Sequence, residues 1–156
     1  MTSDSRIAGT LFGFSAATIL ALATLCTRAV ALGASPKWRL PFHAICHGIE
    51  RRCLILWNVP MPICSRCVGI YAGMLIALAV FAAFVVMRAH AVPTVLLLIL
   101  LAPLALDGVS QATGLRESTN GLRLVTGLVA GFAFMLWAMT RIESSARSRH
   151  EAALQR

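Results

Sequence analysis

Four long apolar runs constrain this chain more than any other feature. Residues 7–27 carry no charged side chain, 68–87 carry none, and 122–139 carry only Arg123. Each approaches the ~20 residues an α-helix needs to cross the hydrocarbon of a bilayer. A fourth run, 92–106, is also uncharged but meets Asp107 directly afterwards. It spans only if the helix continues through Gly108 and Val109 with Asp107 turned inward. Pro93 and Pro103 remove backbone donors and leave a short or broken helix as the alternative. Hydrophobic residues make up 58% of the chain and charged residues 13%. A soluble fold of that composition would need a core larger than 156 residues enclose. The sequence therefore predicts an all-α integral membrane protein of about four transmembrane helices, at 7–27, 68–87, 92–109 and 122–139. A short Cys/His-containing insert and a basic tail, 140–156, complete a single membrane domain, 1–156.

The first run also offers a secretory reading, because Ala29-Val30-Ala31 has the A-x-A form of a cleavage site. Its apolar stretch exceeds the usual ~7–15 residues, and only Arg6 stands against Asp4 ahead of it, so an uncleaved anchor is expected. The connector 88–91 is so short that the second and third spans are expected as antiparallel neighbours. Counting crossings puts the insert, 28–67, and the polar loop 107–121 on one membrane face. Both termini and the connector lie on the other. The net charge of +8 is spread over loops and ends without basic–aromatic interleaving. It fits lipid headgroups, not nucleic acid. The expected location is the plasma (inner) membrane, multi-pass. Six basic residues on the terminal face against eight on the other are too even to orient the chain.

The insert gathers His43, Cys46, His47, Glu50, Cys64 and Cys67 in the pattern H-x2-C-H-x16-C-x2-C. A helix over 42–54, starting after Pro41, would put His43, Cys46, His47 and Glu50 on one face. Pro60 and Pro62 are expected to make the strip before Cys64 a rigid turn. Thiolate and imidazole are the ligands zinc prefers, and a C-x-x-C pair offers two sulfurs to one ion. The candidate metal ligands are Cys46, His47, Cys64 and Cys67, with His43 as a further candidate. Cys46 and His47 are adjacent, so both reach one ion only where the helix starts late or bends. A redox dithiol or a structural disulfide at Cys64 and Cys67 is the competing reading, and thiols packed without a ligand the plainest one. Val68 follows Cys67, which excludes the C-x-x-C-H of a c-type haem. Cys26 and Cys53 read as small apolar side chains.

In the second loop, an acid at membrane depth is costly unless it is paired or wet, so Asp107 is a candidate functional group; a helix end at the interface is the simpler account. The string RESTNGLR supplies arginines, a carboxylate and hydroxyl and amide groups at a helix start, with Ser118, Thr119 and Asn120 able to cap it. Such an arrangement suits an anion. With Arg51, Arg52 and Arg66 from the insert, the loop offers a polar pocket at the headgroup level; Arg51, Arg116, Asn120 and Arg123 are the candidate anion-binding residues, and Asp107 and Glu117 the candidate proton-handling ones.

The strings FHAICHGIERR, PICSRCVGIYAG and LDGVSQATGLRESTNGLRLVTG, in that order, resemble an uncharacterised family of small prokaryotic membrane proteins, domain of unknown function 2085. The resemblance covers 42–131. It implies a shared residue set that includes Cys46, His47, Arg51, Cys64, Arg66, Cys67, Asp107, Gln111, Arg116, Glu117, Asn120 and Arg123. Members often have a serine after the first motif's arginine; Arg52 stands there. No reaction follows from the family. Three functions are in view: a membrane-embedded zinc enzyme acting on a lipid or isoprenoid phosphate, a metal-stapled scaffold, and a thiol redox or metal sensor. Paired Asp-rich motifs of prenyl or phosphatidyl transferases are absent from the sequence.

Overall fold

A computed structural model of the protein describes residues 3–84 and 90–155. It contains four α-helices: α1 (Ser3–Ala31), α2 (Ser65–Ala83), α3 (Thr94–Ala112) and α4 (Asn120–Leu154). All four are long and apolar enough to cross a membrane. At ~1.5 Å per residue α2 and α3 match a hydrocarbon core of ~30 Å, whereas α1 and α4 overhang it. Large apolar side chains such as Leu11, Leu25, Leu98, Ile99 and Val125 face outward, where lipid replaces water. The protein therefore belongs among multi-pass membrane proteins.

Between helices the contacts are made by small residues. In α2 Gly69 and Gly73, and in α4 Gly127 and Gly131, form G-x-x-x-G pairs that face each other. A methyl at Gly69 would collide with the Leu124 carbonyl and lie 2.9 Å from the Leu128 nitrogen. One at Gly73 would meet the Leu128 carbonyl and lie 2.8 Å from the Phe132 nitrogen. Gly127 and Gly131 press in the same way on the carbonyls of Arg66 and Ile70. The register advances in one direction along both helices, so α2 and α4 are parallel. In a bilayer no hydrophobic force drives two helices together, and backbone approach through small residues supplies the dispersion and Cα–H···O contacts instead. Ala77, Phe81, Met135 and Met139 continue this seam away from the insert.

This seam corrects one expectation. α3 packs chiefly on α4, not as the neighbour of α2. The glycine faces draw α2 and α4 together and leave α3 peripheral, with only Leu97 and Asp107 buried. Of the connector expected at 88–91, Arg88 and Ala89 lie outside the described residues. Pro93 stands at the N-cap of α3, and Pro103 is carried inside the helix. α3 also continues to Ala112, so the polar loop shrinks to 113–119. α4 runs on through the basic tail to Leu154. There Arg149 donates to Asp4 at 3.0 Å and Ser5 donates to the buried Glu143, which ties the start of α1 to α4.

The insert corrects a second expectation. It contains no α-helix over 42–54. Two 3-10 segments, Pro36–Ala44 and Glu50–Arg52, lead into an antiparallel hairpin of β1 (Cys53–Leu56) and β2 (Val59–Cys64). Pro41 and Gly48, which adopts φ +57°, interrupt any longer helix. Pro60 and Pro62 lie in β2, because a two-stranded ribbon has free edges that tolerate a missing donor. The turn is instead Trp57-Asn58, both at positive φ, the geometry that lets a two-residue loop follow strand twist. The Arg28 guanidinium sits 5.9 Å from the exposed Trp57 ring and braces that turn against α1. Met61 and Ile63 of β2 pack with Ala23 of α1 and with Cys46.

Filling the glycine seam should break the bundle. Gly73→Leu and Gly131→Leu should each cost about 2 kcal/mol or more in thermal unfolding of the detergent-solubilised protein. Gly121→Ala, whose methyl meets nothing within 4 Å, should leave the midpoint unchanged or slightly raised. Wild-type melting of Gly73→Leu would contradict the close contact.

Candidate metal centre

Three elements converge on one point. β2 ends at Cys64, which is also the N-cap of α2; Cys67 stands in the first turn of α2; and Cys46 lies in the link between the two 3-10 segments. Their Sγ atoms all lie within 4.8 Å of one another. The Cys64 and Cys67 sulfurs are 3.5 Å apart. Tetrahedral bonds of ~2.3 Å to zinc would need sulfurs roughly 3.8 Å apart, so the group fits one ion with small adjustments.

The local backbone explains the convergence. Gly48 at φ +57° turns the chain straight after Cys46-His47, and a methyl there would press on the Pro62 carbonyl at 3.2 Å. That turn lets the Cys64 amide donate to the Cys46 sulfur at 3.2 Å. Ser65 Oγ, fully buried, donates to the Arg52 carbonyl at 3.0 Å and locks the start of α2 to the insert. Thiol donors from Cys64 and Cys67, then the amides of Cys64 and Gly48, pull the Cys46 thiol far down, to about 2. Cys53 differs: burial, then the charge of Cys46, pushes it up to about 11. The surroundings thus favour the thiolate at Cys46 and the thiol at Cys53, and the three-sulfur group could hold a metal.

A hollow of about 300 Å³ opens beside the sulfurs, lined by His47, Arg52 and Arg66 among others. His47 is exposed on its rim and outside the three-sulfur group, as is His43, whose ring lies beside Gly48. The turn at Gly48 carries Cys46 inward and leaves the adjacent imidazole facing out. Glu50 is held by Arg39 at 2.6 Å. The Nε atoms of Arg52 and Arg66 are buried and have no hydrogen-bond partner among the described residues. Arg52 and Arg66 bring guanidinium charge to the wall of a thiol-lined hollow, which favours an anionic visitor.

Behind this hollow lies a polar network. Arg66 pairs with Asp107, whose Oδ2 also accepts from Gln111 Nε2 at 2.7 Å. Gln111 Oε1 accepts from Arg123 Nε and Nη2 at 3.1 and 2.9 Å. Arg123 Nη1 donates to Asn120 Oδ1 at 3.1 Å, and Asn120 Nδ2 donates to the Cys53 carbonyl at 3.0 Å. Asp107 and Arg123 are 8% and 6% exposed, low enough that their charges must be satisfied inside the protein. The network joins α2, α3, α4 and the hairpin, so the two polar segments do meet.

The four expected anion-binding residues have other surroundings. Arg123 and Asn120 belong to the network. Arg51 pairs with Glu117 at 3.4 Å on the exposed rim, linking the insert to the 113–119 loop. Arg116 lines a separate hollow between α3 and α4 with Asp107 and Ser110. None of them lines the thiol hollow. Thr119 caps α4 by accepting from the Leu122 amide at 3.3 Å. Cys26 is half-buried and bonded to the Trp38 carbonyl at 3.4 Å, so it is less enclosed than expected. Sequence reading placed Arg52 and Arg66 beside Arg51 in a polar pocket, and missed Gly48 and the facing glycine pairs. The C-x-G spacing at Cys46 and the two G-x-x-x-G strings were the available signals.

These features define a multi-pass membrane protein with a three-cysteine site at one face. The family model described as "Predicted membrane protein (DUF2085)" matches residues 46–137, and the chain belongs to that family. An uncharacterised protein of Methanocaldococcus jannaschii is 35% identical over 99 residues, 63% of this chain and 64% of its own length. Another, from Methanothermobacter thermautotrophicus, is 44% identical over 92 residues, 58% of this chain and 80% of its own. The chain thus spans a little under two thirds of the first relative. No solved structure matches.

Two outcomes check this geometry. Asp107→Asn leaves Arg66 short of its counter-charge and should destabilise the protein by up to about 3 kcal/mol; unchanged melting would deny the ion pair a structural role. In chelator-treated protein at pH 7, iodoacetamide should modify Cys46 and spare Cys53, whose raised pKa and burial keep it a thiol. Peptide mass mapping reads both, and labelled Cys53 would contradict the assignment.

Proposed function

We propose that this protein holds zinc on Cys46, Cys64 and Cys67 and uses the remaining coordination position toward a phosphate-bearing, lipid-like substrate. The three converging sulfurs carry this reading. Soft thiolates in tetrahedral array suit zinc, and three protein ligands leave a fourth position accessible. Zinc bound there would supply Lewis acidity to a phosphoryl oxygen.

The chain's own groups then divide the work. Arg52 and Arg66 line the hollow and would bind the anion, Arg66 while it stays paired with Asp107. Asp107 accepts from Arg66 and, through Gln111 and Arg123, is fixed to α4; it acts as a positioning residue for that guanidinium. His47 on the rim is an imidazole available to close the coordination or carry a proton. Arg51 and Glu117 sit further out, where substrate would enter.

Detergent-purified protein should contain one zinc per chain. Cys46→Ser, Cys64→Ser and Cys67→Ser should each lose it, and Cys26→Ser should keep it. Affinity should fall as pH falls, because protons compete with the metal for thiolate. Substoichiometric metal in folded wild type would overturn the proposal. The 3.5 Å Cys64–Cys67 separation favours a dithiol couple as a second reading. Acid trapping of thiols in cells separates the two: a reversible Cys64–Cys67 disulfide in metal-free protein would favour the couple.

A further inference from the structure

A second hollow, of about 480 Å³, lies between α1 and the first 3-10 segment. Its walls include Leu22, Cys26 and Ala29 of α1 and Trp38, Phe42 and Ile45 of the insert, almost all apolar. The volume lies within the range of small-molecule sites. The Cys26 thiol bonds to the Trp38 carbonyl at 3.4 Å, so the insert is fastened to α1 over this hollow. Ile45 is a shared wall: it lines this hollow and also the thiol-lined one, where Arg52 and Arg66 stand. An apolar trough on a membrane-spanning helix thus runs up to a cationic pocket beside three sulfurs.

We infer that the trough binds the hydrocarbon chain of a single-chain amphiphile with an anionic phosphate head, the head reaching the Arg52/Arg66 pocket past Ile45. This deepens the proposed function and rests on it for the identity of the head. Charge complementarity and the shared wall select the ligand. A neutral lipid would leave the guanidinium charge of the Arg52/Arg66 pocket unmatched, and a free anion would leave the trough unfilled. The trough lies in the chain before residue 46, outside the family match.

The test uses the full chain in detergent with farnesyl phosphate carrying a photoreactive diazirine at the chain end. Crosslinks mapped by mass spectrometry should fall on Leu22, Cys26, Trp38 and Phe42. Unlabelled farnesyl phosphate should compete, and farnesol should compete at least about tenfold less well. Ala29→Trp, which fills the trough, should cut labelling by about tenfold or more while metal content and helicity stay as in wild type. If that variant fails to fold, Leu22→Trp offers the same block from the lipid-facing side. Label spread evenly onto Leu98 and Ile99 of α3, as for annular lipid, would overturn the inference, as would full labelling of Ala29→Trp. Trough labelling in a wild type that lacks metal would sustain the chain site and defeat the zinc reading.

Discussion

The parallel contact of α2 with α4 through four glycines decides where everything else can go. Two parallel helices joined through α3 start at the same membrane face. The contact sets Ser65, Arg66 and Cys67 at the same level as Asn120 and Arg123. α3 returns along α4 and delivers Asp107 and Gln111 to that level. Buried charges are costly in a bilayer unless they are paired. The Arg66–Asp107–Gln111–Arg123–Asn120 chain supplies such pairing. A methyl group on the seam would separate α2 from α4 and pull both ends of the network apart.

Arg66 shows how tightly these levels are coupled. Its carbonyl presses on Gly127, its guanidinium pairs with Asp107, and its side chain lines the thiol hollow between Cys64 and Cys67 in sequence. Helix packing, charge satisfaction and site chemistry therefore share one residue. The insert completes the arrangement from the other side. The Gly48 turn brings Cys46 inward, and the register of the hairpin places Cys53 opposite Cys64. The Cys53 carbonyl then receives Asn120, so the hairpin is hydrogen-bonded to α4 as well as packed on α1.

Much of this was legible in the sequence, for identifiable reasons. Uncharged runs of helical length have few other uses, so the spans were evident, with α1 and α4 longer than their apolar stretches. Asp107 and Arg123 stood out because charges beside apolar runs must find partners. C-x-x-C drew attention to Cys64 and Cys67, and Cys46 joined them. The hairpin was hidden because VPMPIC has prolines that read as a turn, whereas a free ribbon edge admits them. The periodicity of His43, Cys46, His47 and Glu50 suggested a helix, and one left-handed glycine overrides it. The sequence offers Arg51, Arg52 and Arg66 together for a polar pocket; Arg52 and Arg66 line the hollow, whereas Arg51 reaches only the exposed rim. Which arginine faces the site depends on the 3-10 turn at Glu50–Arg52, a geometry with no sequence period long enough to read.

X-ray absorption at the zinc edge of the reconstituted full chain tests the central claim most directly. Three sulfur neighbours at ~2.3 Å and one lighter nitrogen or oxygen neighbour are the expected shell. A shell of nitrogen and oxygen alone, or zinc that cannot be retained after removal of excess metal, would contradict a centre built from Cys46, Cys64 and Cys67.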